Sequence, residues 1–130
     1  MAQTSAAVEQ TESRASTRPE RPIDLVHLAK QCMGDAHLEQ EILRLYDSTL
    51  KTYFGRLQLA ASYDDLALNI HSIKGASDGV GAFAIANLAR AAETELQAGR
   101  PLAPERIDDL GLAVEEARAF IARLLDKAPA

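Results

Sequence analysis

The sequence predicts an all-α protein whose amphipathic helices pack as a bundle, and three observations carry that expectation. Apolar residues recur in steps of three and four along most of the chain after residue 22, the spacing that lays a stripe along one side of a helix. Gly34, Gly79 with Gly81, and Gly99-Arg100-Pro101 punctuate these periodic segments where helices would end. Aromatic residues make up 5% of the chain and tryptophan is absent, as expected where alanine and leucine fill the space between helices. At 130 residues, 47% of them hydrophobic, the chain has material for one core and one domain.

Residues 1–22 are rich in Ala, Ser, Thr, Glu and Arg without an apolar period, so they read as a disordered tail. An inert extension is the simple reading of that tail, and a tether or partner-binding arm is the functional one. The bundle then occupies residues 23–127. Leu25, Leu28, Ala29 and Cys32 outline a short first helix that Gly34 ends, with Asp35 as N-cap of the next. The second helix is longer and has two apolar sides: Leu38, Ile42, Leu45, Thr49 and Tyr53 on one, Leu43, Tyr46, Leu50 and Phe54 on the other. One side must meet the bundle, and the other either packs on the first helix or stays partly exposed for docking.

Tyr63-Asp64-Asp65 opens the third helix, its acidic residues suited to the positive end of the helix dipole, and Gly79 with Gly81 closes it. Leu66, Ile70, Ile73 and Val80 form its apolar arc. Ile85, Leu88, Ala89, Ala92 and Leu96 place a fourth helix directly after that turn, and so short a link makes the two antiparallel neighbours. Pro104 suits the first turn of a final helix with apolar positions Ile107, Leu110, Val114, Ala117, Ile121 and Leu124. That stripe reads as core. A dimeric coiled coil would need charged flanks over more heptads, so a monomer is expected.

Composition excludes several function classes. A net charge of −5 opposes nucleic acid and anionic membrane surfaces, which both need clustered cations, and leaves a protein as the natural partner. The lone Cys32 forms no internal disulfide, fits a reducing compartment, and lies on an apolar pattern that reads as core. No apolar run of about 18 residues could span a membrane and the N-terminus lacks a signal-peptide core, so a cytoplasmic location is expected. A helical metal site needs more ligands than Asp78 near His71 offers, and no serine or cysteine stands in a hydrolase-like motif.

The stretch His71-Ser72-Ile73-Lys74-Gly75-Ala76-Ser77 carries the chemistry. At about 100° per residue, Lys74 lies about 60° to one side of His71 and Gly75 about 40° to the other, so the three share a face away from the apolar arc. An imidazole with a reference pKa of about 6.5 is largely neutral at cytosolic pH, and a free ring nitrogen attacks a phosphoryl group without an added base. The product gains close to two negative charges, and an exposed Lys74 ammonium one turn away would offset them by roughly 1 to 4 kcal/mol. Glycine inside a helix costs about 1 kcal/mol relative to alanine, so Gly75 needs a reason, and clearing space for a phosphoryl group and its carrier supplies one. Each residue alone has an ordinary reading: a solvated histidine such as His27 or His37, a solvated lysine, a glycine at a close helix approach. Their combination points elsewhere.

With Val80-Gly81-Ala82, Leu88 and Glu93 after it, this stretch resembles the signature of histidine-containing phosphotransfer (HPt) domains of phosphorelays. The resemblance runs in length and helix pattern from about Asp24 to about Asp126, with its specific residues between His71 and Glu93. Ile73 replaces the commoner leucine, and Asp78 adds a negative charge on the histidine face that opposes phosphate retention. The resemblance implies an antiparallel four-helix bundle with a short additional N-terminal helix. It implies His71 as phosphoacceptor, Lys74 as stabilising cation and Gly75 as the residue giving access. The partners it implies are response-regulator receiver domains and a histidine kinase or hybrid kinase. They supply the acidic pocket, with Mg2+ in the receiver, so the chain is a carrier, not an enzyme, and binds no cofactor itself. A helical adaptor that binds receivers without carrying phosphate is the alternative.

Overall fold

The computed structural model describes residues 21–128. The tail expected over residues 1–22 therefore lies, except for Arg21 and Pro22, outside the described residues. Within them the chain forms α1 (Leu25–Gln31), α2 (Ala36–Leu59), α3 (Tyr63–Val80), α4 (Phe83–Gln97) and α5 (Pro104–Lys127), with no strand among the described residues.

Local chemistry sets most of the helix ends. Asp24, Asp35 and Ser62 have extended backbones and accept hydrogen bonds from the first free amides of α1, α2 and α3. Pro104 opens α5, where its missing N–H costs nothing. Met33 and Gly34 both take positive φ, at 52° and 77°, and turn the chain from α1 into α2 within three residues of Cys32. Gly79 departs from its expected place: it lies inside α3, and Gly81 alone, at φ 91°, caps that helix. A helix needs only one left-handed residue to stop, and Gly81 is the one whose amide, with that of Ala82, turns back to the Ser77 carbonyl.

Four helices close a ring in which α2 packs on α3, α3 on α4, α4 on α5, and α5 on α2, while α1 lies across the end of α2 and α3. Side-chain contacts give the directions. Tyr63 reaches the Leu96 carbonyl, His71 reaches Glu93 and Asp78 reaches Arg90, so α3 and α4 run antiparallel. Asp47 meets Arg118 and Phe54 meets Gly111, so α2 and α5 do as well. The core is aliphatic: Leu43, Leu50, Leu57, Ile70, Ile73, Ile85, Leu110 and Ile121 are buried around Ala89, Ala92 and Ala117. Cys32 is buried with them, and desolvation, then Glu39 and Asp35, push its thiol above the usual range. It is held as an inert thiol.

The two apolar sides of α2 differ in depth, with Ile42, Tyr53 and Phe54 partly buried against the core. Leu43, Tyr46, Leu50 and Leu57 enter the core, whereas Leu45 stays 67% exposed beside a groove lined by Leu28, Ile42, Thr49, Ala76 and Gly79.

Gly81 also fastens the N-terminal segment. Its carbonyl accepts from the Asp24 amide at 2.9 Å, and an added Cβ would stand 3.0 Å from His27 Cδ2 and 3.1 Å from the Asp24 carbonyl oxygen. Gly34 has a similar φ but open space around it. Gly34→Ala should therefore cost only the left-handed backbone penalty of about 1–2 kcal/mol. Gly81→Ala should cost about 1 kcal/mol more, because His27 and the backbone must also shift. Urea midpoints of the two variants check this, and equal losses would refute the steric part.

Candidate functional site

The site is built on α3, whose inner face is fixed from several sides. Ile70 and Ile73 are fully buried, and the buried Ser77 hydroxyl pairs with Tyr46 of α2 at 2.6 Å. Burial pushes the Tyr46 phenol above its usual range, so this pair stays neutral and hydrogen-bonded. With that arc committed to the core, the opposite arc is presented outward. His71 stands midway along the helix with its side chain 67% exposed.

The His71 ring is not free. Glu93 of α4 accepts from His71 Nδ1 through one carboxylate oxygen at 2.9 Å and from Lys74 Nζ through the other at 2.5 Å. The bond from Lys74 holds the Glu93 carboxyl below the usual carboxylate range, outweighing the burial that acts the other way, and the bond from His71 adds to the shift. Glu93 is therefore ionised at neutral pH and can only accept. It follows that Nδ1 carries the ring proton and that the lone pair of neutral His71 lies on Nε2.

Lys74 departs from its expected exposure. Its side chain is 22% exposed, because it leans across the α3–α4 seam to a Glu93 that is itself 15% exposed. Gly75 is where helical geometry puts it, on the exposed side, and an added Cβ there would meet nothing within 4 Å. A close helix approach is thus not what the glycine serves. Asp78 is not a bare charge either: Arg90 of α4 donates to it at 3.0 Å and to the Asn87 side-chain oxygen at 2.7 Å. His27 hydrogen-bonds the Gly79 carbonyl and packs edge-on against Phe83, and His37 pairs with Glu41 along α2. His37 shares with His71 a glutamate partner, but Glu41 is 59% exposed where Glu93 is 15% exposed. No cluster of three or more His, Cys, Asp or Glu groups suited to a metal occurs among the described residues. No helix among them is long and apolar enough to cross a membrane.

Sequence reasoning names Glu93 within the motif but assigns it nothing. A signal was available: folding α3 and α4 antiparallel about the Gly81–Ala82 turn brings residue 71 opposite residue 93. Glu93 also flanks the buried stripe of Ala89, Ala92 and Leu96, which points it at the seam. The same reflection sets Asp78 opposite residue 86, one turn before Arg90, so that pair depends on the reach of the arginine side chain.

Comparison with known proteins agrees with this fold. Residues 36–120 match the family model described as Hpt domain. Among solved structures the chain resembles the HPT domain of an Hpt sensor hybrid histidine kinase from Shewanella. The TM-score is 0.75 at 18% sequence identity, covering 85% of this chain and 98% of that one, a likeness of fold. No curated protein matches the sequence. The chain belongs to the Hpt domain family and is a phosphorelay carrier, of the class that exchanges phosphoryl groups with receiver domains and histidine kinases.

Proposed function

We propose that His71 is the phosphoacceptor of this carrier, with Nε2 the attacking atom, Lys74 the cation that offsets the arriving charge and Gly75 the position kept clear for the donor. The observation that supports this best is the exposed His71 ring held by its Nδ1–H on an ionised Glu93. In the transfer, the Nε2 lone pair forms the N–P bond while the P–O bond to a receiver aspartate breaks, and the aspartate leaves as carboxylate. The ring becomes an imidazolium phosphate, and Glu93 faces the positive charge that develops on it, as the aspartate of a catalytic triad faces its imidazolium. Lys74 is within one turn of the phosphoryl group and turns from Glu93 toward it. Return of the phosphoryl group reverses each step.

In this reading receiver domains and a histidine kinase or hybrid kinase are the partners. The receiver brings Mg2+ and the acidic pocket, and the chain itself holds no cofactor and catalyses nothing alone. It works as a cytoplasmic monomer. The direct test is to incubate the chain with receiver domains charged by acetyl phosphate, or with an active kinase. Label that is acid-labile, base-stable and located on His71 is the expected result, and stable label elsewhere would refute the assignment.

Gly75 gives a second test. Open space around it predicts that Gly75→Ala is accepted and strengthens the helix by up to about 1 kcal/mol. Gly75→Leu should keep the fold equally well yet slow transfer from a receiver, because the side chain rises beside the ring. Wild-type transfer rates in Gly75→Leu would show that the space has no role in access.

A further inference from the structure

The His71 face has two unlike borders. Toward α2 lie Gly75, Ala76, Gly79 and the exposed Leu45, small and apolar. Toward α4 runs a ladder of charges: Lys74 with Glu93, then Arg90 with Asp78 and Asn87. α3 and α4 contain two permanent cations, Lys74 and Arg90. Lys74 is largely covered and committed to Glu93, whereas the Arg90 side chain is 50% exposed. A guanidinium has five N–H donors, and the contacts to Asp78 and Asn87 engage two nitrogens, Nη2 and Nη1, so Nε–H and further donors remain for a partner.

Asp78 sits about 20° from His71 around the helix and seven residues on, roughly 10 Å along the axis. That is about one screening length at physiological salt, close enough for the pair to set the field felt by an approaching molecule. The chain as a whole carries −5 and repels an acidic partner, so this face needs a local cation if an acidic partner is to land on it.

Resting on His71 as the phosphoacceptor, we propose that the Asp78–Arg90 pair is the charge-reading edge of the docking face. Arg90 engages carboxylates on the rim of a receiver's acidic pocket, and Asp78 holds that attraction down. The two members of one ion pair thus act on docking with opposite sign. A pair that merely ties α3 to α4 would act with one sign, since losing either residue breaks the same bridge.

The experiment uses the full chain with a panel of receiver domains charged by acetyl phosphate, and follows the second-order rate of transfer to His71. Phosphoramidate, a small donor that makes no protein contacts, serves as the comparison. At about 20 mM salt, Arg90→Ala should slow transfer from the best receiver by about five- to tenfold and Asp78→Asn should speed it by about two- to threefold. Both differences should shrink toward wild type at about 0.5 M salt. Labelling by phosphoramidate should stay within about twofold in all variants, since the charges act on docking and not on the bond-forming step. If Arg90→Ala transfers like wild type at low salt with every receiver, or if both variants move in the same direction, the proposal falls while the His71 reading stands. If neither donor labels His71 in the wild type, the reading beneath it falls, and the proposal with it.

Discussion

Replacing His71 by glutamine abolishes phosphorylation of the chain and leaves its melting temperature almost unchanged. The chemical half of this expectation follows from the ring: an amide nitrogen has no lone pair available to attack phosphorus, so the loss is complete and not graded. The structural half follows from exposure. His71 buries little, and the glutamine amide can still donate to the Glu93 oxygen that His71 Nδ1 holds. Surface changes of this kind usually stay within about 0.5 kcal/mol. Phosphopeptide mapping after incubation with charged receivers, alongside thermal melts, checks both halves. Label passing to His27 or His37 would overturn the assignment, and a large loss of stability would mean that the His71–Glu93 bond supports the fold.

Lys74→Ala shifts the phosphotransfer equilibrium away from His71 by about tenfold, equivalent to roughly 1.4 kcal/mol, and Lys74→Arg shifts it less. Because Lys74 is partly covered and paired, this variant has a second consequence that an exposed lysine would not have. It strips Glu93 of its nearest cation, so a carboxylate that burial disfavours is left with His71 alone. A carboxyl held below its usual range contributes stability that is complete above the unfolded value of about 4.3 and is lost as pH falls through the folded one. In Lys74→Ala the carboxyl moves back toward its usual range, the contribution shrinks, and less stability is lost on acidification. Urea midpoints between about pH 3 and 6 register the difference, and the ratio of phosphorylated carrier to phosphorylated receiver gives the equilibrium. Glu93→Ala should slow acceptance, because the ring is no longer held and the imidazolium it becomes loses its facing carboxylate. If Lys74→Ala matches wild type at low salt, the ammonium has no part in holding phosphate.

Much of this architecture is legible in the chain. The three-four spacing marks each helix, and Asp35, Pro104 and the Gly81 region mark their ends, because caps and breakers act within a few residues. The shared face of His71, Lys74 and Gly75 is equally local, a matter of 100° steps on one helix. What the sequence does not yield is whatever depends on a second helix. Lys74 reads as exposed until α4 brings Glu93 against it, and Asp78 reads as a bare charge until Arg90 pairs with it. Gly79 reads as a breaker because glycine favours ends, yet its backbone continues α3 and its carbonyl serves His27. The two apolar sides of α2 cannot be ranked without knowing which one finds Ser77 and the core.

Helix α3 is tied at its start by Tyr63 to the Leu96 carbonyl, and toward its end by Ser77 to Tyr46 on the inner face and by Gly81 to Asp24. A rod pinned at three stations does not bend when a side chain on its outer surface changes. Loaded and unloaded carrier would then have nearly the same outline, and the difference between them is a phosphoryl group of some two negative charges on a ring that has turned positive, about one net negative charge at one point on the surface. A protein that must tell the two apart has no moving part to feel. It has a voltage to read.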